Sequence, residues 1–331
     1  MKHQSCLLIL VTIAAASLAC NHQNQSTDGS FSRSTAGNST TSTKGTIGVS
    51  LMTLTNPFFK VIGDTITAEA LPHGYNTVVL GANEDAVKQT AQVKDFIVKR
   101  VSAIVLAPYD SHGIGPVIAE ANDAGIPVFT VDNGCLSPDG KVVCHVATDN
   151  LQGGEQAGHA MIEYLGEQGG KIAILDHKLT QSCIDRVTGF KKVLNQHNET
   201  ADNPIEVVSE LKSGGNRQTG YASTQDILQS HPDIVGVFAI NDPSALGAHA
   251  AIDEDGKLEQ IVIIGFDGQP EGKKAIRDGK IYADPIQFPD RMAKMTVDII
   301  LRHFDGETVK SEVLIPTELY RKADADADES L

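Results

Sequence analysis

Several short stretches of this chain set polar, ligand-gripping side chains directly after apolar runs. The run Thr46 to Met52 leads into Thr53-Leu54-Thr55-Asn56-Pro57-Phe58-Phe59, where Asn56 suits a helix N-cap and Pro57 the first helical position. Val128 to Val131 leads into Asp132-Asn133, and Val235 to Ala239 into Asn241-Asp242-Pro243. The run before Gly265 ends in Phe266-Asp267-Gly268, the one beginning at Ile281 ends in Gln287, and Arg186 lies on the helix following Leu175. Carboxylates accept from vicinal hydroxyls, amides both donate and accept, and a guanidinium donates a fork to ring or hydroxyl oxygens. The two Phe rings could cover the apolar face of a sugar. Such a set grips a neutral, hydroxyl-rich molecule without breaking a bond. Each residue alone has a plainer reading: the Phe pair as core, Asp132 as a hinge hydrogen-bonder, Asn241 and Asp267 as cap or turn residues, Arg186 as the partner of Asp185. Recurrence of all of them at strand ends favours a binding site.

The elements that must carry these residues alternate along the chain. Strand-like runs occur at Ile47 to Met52, Asn76 to Leu80, Ala103 to Ala107, Val128 to Val131 and Val142 to Ala147, then at Ile172 to Leu175, Ile205 to Ser209, Val235 to Ala239, Ile261 to Phe266 and Ile281 to Gln287. Helical patterns separate most of them. Near-continuous apolar strands with helical crossovers predict α/β architecture, with parallel sheets covered on both faces. Open sheets of this kind bind ligands beyond the carboxyl ends of their strands. A body of about 280 residues is near the size at which one core divides, so two Rossmann-like lobes are expected, meeting near Thr148-Asp149-Asn150.

Composition narrows the partners. A net charge of −15 over 331 residues argues against nucleic acid and anionic membrane surfaces. Residues 1–19 read as a secretory signal, with Lys2 and His3 before an apolar stretch. Ser17-Leu18-Ala19-Cys20 is similar to a bacterial lipoprotein box, which makes Cys20 a candidate for acylation and a lipid anchor, with ordinary cleavage after Ala19 as the alternative; either way the protein is expected to be exported, periplasmic or extracytoplasmic. Residues 20–45, rich in Ser, Thr, Asn and Gly, read as a disordered tether, and 322–331 as a disordered acidic tail. Cys135 and Cys144 bracket a Pro-Asp-Gly turn and are expected to pair as a disulfide in an oxidising compartment, leaving Cys183 single.

With those residues in view, the chain from about Thr46 to Leu319 resembles the ribose-binding group of type I periplasmic sugar-binding proteins, a group similar to the effector domains of LacI-type repressors. Thr53 to Phe59, Pro127 to Asp132, Thr148-Asp149-Asn150, Asn241-Asp242 with Ala245-Leu246-Gly247, and Gly265 to Gly268 carry the likeness. The resemblance implies a monosaccharide between two lobes joined by three crossings, near Thr148-Asp149, Gln287-Phe288 and Pro316-Thr317. It divides the chain into 46–148 plus 288–316 for one lobe and 149–287 plus 317–321 for the other. It places Asn56, Phe58, Phe59, Asp132, Asn133, Arg186, Asn241, Asp267 and Gln287 at the ligand, with hinge residues Thr148, Asp149, Phe288 and Pro316. It further implies a monomer working with the permease of an ABC transporter, with neither cofactor nor catalysis. Three positions depart from the ribose pattern: Met52 replaces a small hydroxyl residue, Asn133 an Arg, and Gly215 or Asn216 a ring-covering Phe.

Rival readings rest on less. The glycines of Gln152 to Gly158 superficially suggest a dinucleotide fingerprint and an NAD-dependent enzyme, but their spacing is wrong for it. They are read as close packing after the hinge. No nucleophile elbow or HExxH motif occurs, and His112, His145 and His177 are too scattered to suggest a metal site. A LacI-type regulator would need a DNA-binding helix-turn-helix where this chain has a leader and tether. A receptor for a sugar-like signal, with a chemotaxis or sensor-kinase partner, keeps the same fold and differs only in what reads the closed form.

Overall fold

The computed structural model describes residues 43–331, which form two six-stranded sheets. The first contains β1 (Gly45–Leu51), β2 (Tyr75–Gly81), β3 (Ala103–Leu106), β4 (Val128–Val131) and β5 (His145–Thr148), joined at its edge by β11 (Glu312–Ile315). Its order is β11-β5-β4-β3-β1-β2, and all neighbours are parallel. The second contains β6 (Gly170–Asp176), β7 (Ile205–Lys212), β8 (Ile234–Ala239), β9 (Val262–Ile264) and β10 (Ala283–Ile286), closed by an antiparallel β12 (Glu318–Arg321). The chain therefore passes between sheets three times: after β5, after β10, and between β11 and β12.

The central strands of each sheet are dry on both faces. In the first, α1 (Pro57–Ala70) and α9 (Pro289–Phe304) cover one side, packing Phe58, Ile62, Val297 and Ile300 on Ile47, Val49 and Leu51. Val93 and Phe96 of α2 (Ala86–Val98) and Ile118 of α3 (Gly115–Asp123) cover the other. In the second sheet α4 (Asn150–Leu165) and α5 (Gln181–Asn198) lie on one face. Here α6 (Arg217–Ser230), α7 (Asp242–Glu254) and α8 (Pro270–Arg277) lie on the other. Strands buried on both faces read as unbroken apolar runs, which explains their visibility in the sequence.

The glycines of α4 serve packing. A side chain at Gly154 would collide with the backbone of Arg186 on α5, and one at Gly189 with the backbone of Leu151 on α4. The two helices thus approach closely enough to hold Arg186 over the end of the sheet. Gly154→Ala is expected to cost about 1–3 kcal/mol through overpacking, read as a lowered midpoint in thermal denaturation. An unchanged midpoint would mean that the helices separate freely.

Two expectations are corrected. Cys135 and Cys144 are free thiols. Cys144 packs into the core under α1 and α9 whereas Cys135 packs beside α2 and α3, so the thiols lie against opposite faces of one sheet. The acidic tail is ordered: α10 (Lys322–Ala327) buries Ala325 beside Ile276 and Tyr320. Asp328 accepts from Lys273 Nζ at 3.1 Å and Tyr320 Oη at 3.0 Å. Alternating Asp and Ala looks solvated in the sequence only because those partners are distant along the chain. The expected signal, Cys20 and most of the tether lie outside the described residues.

Candidate ligand-binding cleft

The carboxyl ends of both sheets face one narrow cavity. Asn56, Phe58, Phe59, Asp132, Asn133, Arg186, Asn241, Asp267 and Gln287 all line it, together with Met52, His177, Thr180, Ser182, Cys183 and Gly215. Its volume is about 40 Å³, room for roughly three waters. Past Met52, Asn56 and Gly215 it continues into an open groove of about 360 Å³.

Local structure aims each group. Asn56 caps α1, its Oδ1 accepting from Phe58 N at 3.0 Å, and Phe58 meets Phe59 edge to face at 5.3 Å. Both rings belong to the core and to the cavity wall at once. Asn241 likewise caps α7, accepting from Ser244 N and donating Nδ2 to Gly215 O at 2.9 Å. Asp132 and Asp267 leave their strands with φ of 65° and 104°, in the left-handed region. For a residue with a side chain this conformation is strained, and it turns both carboxylates toward the ligand side.

Arg186 is the electrostatic centre. It is not the partner of Asp185, which instead receives Gln181 Nε2 at 3.1 Å. Its Nε donates to Asn150 Oδ1 at 2.8 Å, and its Nη1 to Ile240 O at 2.6 Å and Asp267 Oδ1 at 3.0 Å. The guanidinium lies 3.9 Å from the centroid of Phe266. Asp267 also accepts from Gln287 Nε2 at 2.6 Å and Gln269 Nε2 at 3.0 Å. Gln287 in turn accepts from Thr148 Oγ1 at 2.7 Å, tying the site to the hinge. Burial pushes the Asp132 carboxyl up to about 7, with Arg186 opposing and Asp267 adding to the rise.

Several contacts join the lobes directly. Ser111 N donates to Leu179 O at 2.9 Å, Gln181 N to Ser111 Oγ at 3.1 Å, and Ser182 Oγ to Asn133 Oδ1 at 2.6 Å. Tyr109 meets the His177 ring at 5.7 Å.

Two groups escape the sequence reading. His177 follows β6 directly, as Asp132 follows β4. Asp284 lies inside β10, a carboxyl in an otherwise apolar strand, buried beside the Asp242 carboxyl behind the cleft, and both its oxygens and Asp242 Oδ1 lack a hydrogen-bond partner. Among the described residues no cluster of three or more His, Cys, Asp or Glu could hold a metal, and no helix is long and apolar enough to cross a membrane.

Comparison with known proteins decides the family. Residues 47–308 match the periplasmic binding protein domain. This chain belongs to the periplasmic binding protein family. Within that family it is 36% identical to the ribose import binding protein of Bacillus subtilis, over 83% of this chain and 86% of that one. It is 34% identical to the ribose import binding protein of Escherichia coli, over 84% of this chain and 91% of that one. A solved ABC transporter solute binding protein from Mycobacterium smegmatis with bound glycerol is 32% identical, with a TM-score of 0.78 over 86% and 96% of the two chains. These relatives are binding proteins of transport systems, and the two-lobed arrangement of this periplasmic binding protein matches theirs.

Proposed function

We propose that this chain is an exported binding protein that captures a monosaccharide between its lobes and presents it to the membrane permease of an ABC transporter, without chemistry of its own. The observation that carries this reading is the convergence of Asp132 from one lobe with Arg186, Asn241, Asp267 and Gln287 from the other on one cavity. The ribose import function of the relatives supports the ligand class. Free sugar enters an open cleft, and only the closed form gives it both sets of contacts, so binding shifts the population toward closure. Acylation of Cys20 would hold the body near a membrane, and a coil of tether length spans roughly 25–30 Å. The protein works as a monomer. Ribose is not the best ligand: Met52 and Gly215 change the wall, and the Asn133 amide is already engaged by Ser182.

A thermal-shift screen of pentoses, hexoses and polyols tests the proposal. A sugar at one hundred times its Kd stabilises the folded form by about 2.7 kcal/mol, a rise of roughly 5–10 °C for a chain of this size. No shift with any of them overturns the reading. Tight binding of ribose with no better sugar overturns the statement on specificity. Asp267→Asn tolerates the left-handed backbone and keeps hydrogen-bonding capacity while removing the charge. Calorimetry of the best sugar with this variant is expected to show a loss of about 2–4 kcal/mol, and a loss below twofold would place Asp267 outside the contact set.

A further inference from the structure

Half-hidden behind the family-like residues is a second set of polar atoms with nothing to bind. Among the described residues, the buried side-chain atoms without a hydrogen-bond partner include Asp132 Oδ1, both ring nitrogens of His177 and Thr180 Oγ1. All three residues line the same cavity. His177 is only 2% exposed and Thr180 1%, so water reaches neither side chain from outside. Thr180 stands at the N-cap of α5 yet makes no capping bond, leaving its hydroxyl free for the cavity. Leaving such groups without a protein partner costs free energy, so the cavity must supply one, water when it is empty and a polar ligand when it is filled.

The imidazole is held in place. Its backbone N–H donates to Asp176 Oδ1 at 2.6 Å, and Tyr109 packs against the ring across the cleft. Burial, with Lys212 adding to it, pushes His177 down to about 4, so at neutral pH the ring is uncharged, with one nitrogen donating and one accepting. Next to it in the sheet lies the exit of β7, since Lys212 pairs with Asp176. That exit leads to Gly215, at φ 70°, where an added methyl would approach only the Asn241 amide at 3.3 Å. A neutral donor and acceptor, a hydroxyl beside it and space at the adjoining strand end suit one more hydroxyl-bearing carbon than a pentose ring offers.

We propose that His177 and Thr180 form a subsite that recognises the exocyclic hydroxymethyl group of a hexose, and so set specificity for a six-carbon sugar over its five-carbon counterpart. The proposal rests on the monosaccharide reading and sharpens it. Four matched pairs differ only in that group on the pyranose ring: D-allose and D-ribose, D-glucose and D-xylose, D-galactose and L-arabinose, D-mannose and D-lyxose. Calorimetry of the full chain with all eight is expected to show at least tenfold tighter binding of the hexose in the pair that binds best. His177→Phe, which retains the ring against Tyr109, is expected to reduce that hexose-to-pentose ratio by tenfold or more. Thr180→Val, of nearly the same shape, reduces it severalfold and decides the matter if the His177 variant does not fold. Binding of none of the eight overturns the monosaccharide reading itself. Binding in which the pentose equals or exceeds its hexose, or a ratio that the folded variants leave unchanged, overturns the subsite alone.

Discussion

Arg186→Ala is expected to lower the affinity for the best sugar by more than a hundredfold and the melting temperature by roughly 10 °C. The guanidinium is buried, with Nε and Nη1 donating to Asn150, Ile240 O and Asp267, and it lies 3.9 Å from the Phe266 ring centroid. Removing it leaves Asp267 without its ion-pair partner in a closed site and takes away the charge that opposes the rise at Asp132. Breaking one side of a buried pair costs about 3–5 kcal/mol, and for a chain of this size each kcal/mol moves the midpoint by roughly 2–4 °C. Binding suffers separately, because the ligand loses a donor and the Asp267 carboxylate loses its orientation. Arg186→Lys separates the two effects. An ammonium restores charge but neither the fork nor the stack on Phe266, so melting should recover in part while affinity stays low. If Arg186→Ala melts within about 2 °C of the parent and binds within threefold, the site is not organised around this residue.

Asp284→Asn is expected to stabilise the protein, increasingly so as pH rises. Asp242 and Asp284 face each other in full burial, with Asp242 Oδ2 accepting from Gln269 N at 2.6 Å. Desolvation and mutual repulsion raise the Asp242 carboxyl well above the ordinary range, and burial takes Asp284 to about 6. A carboxyl raised in the folded state holds a proton that the unfolded chain releases. Its stability is therefore fully present below the unfolded value near 3.8 and is lost as pH rises through about 6. For Asp284 the rise from 3.8 to about 6 corresponds to about 3 kcal/mol in total, of which roughly half is lost between pH 5 and pH 8. An amide stays neutral in this burial without taking up a proton. The difference in melting temperature, variant minus parent, should grow by several degrees over that range, which cancels carboxyls such as Asp132 and Asp176 that titrate in both proteins. A difference that stays flat or becomes more negative with pH would rule out a protonated Asp284 in the folded protein.

What is legible in the sequence follows from what burial does to composition. Strands such as β1 and β8, dry on both faces, contain almost nothing polar and so announce themselves, and the groups just beyond their ends stand out by contrast. β11 and β12 escape notice because Glu312, Leu314 and Glu318 remain exposed in short edge strands. The course of a loop is harder to read: Cys135 lies past the end of β4 and Cys144 just before β5, in cores on opposite faces of the sheet, and the pairing expected of them fails on that point. His177 does not stand out while histidines are judged as metal ligands, where scatter counts against them, rather than by distance from a strand end. Asn56 and Asn241 show the opposite ambiguity: each caps a helix and also lines the cavity, so the plain reading and the binding reading hold together.

The three hydrogen bonds across the mouth involve no ligand. Each is worth about 0.5–1.5 kcal/mol net, which biases the empty protein toward the shut form. A sugar then meets a smaller conformational cost, since apparent affinity scales with the fraction already competent to bind. The same bias works against fidelity downstream. A partner that recognises closure alone meets idle molecules indistinguishable in outline from loaded ones, and the ratio of cargo-bearing to futile encounters is set at Ser111 as much as at the sugar.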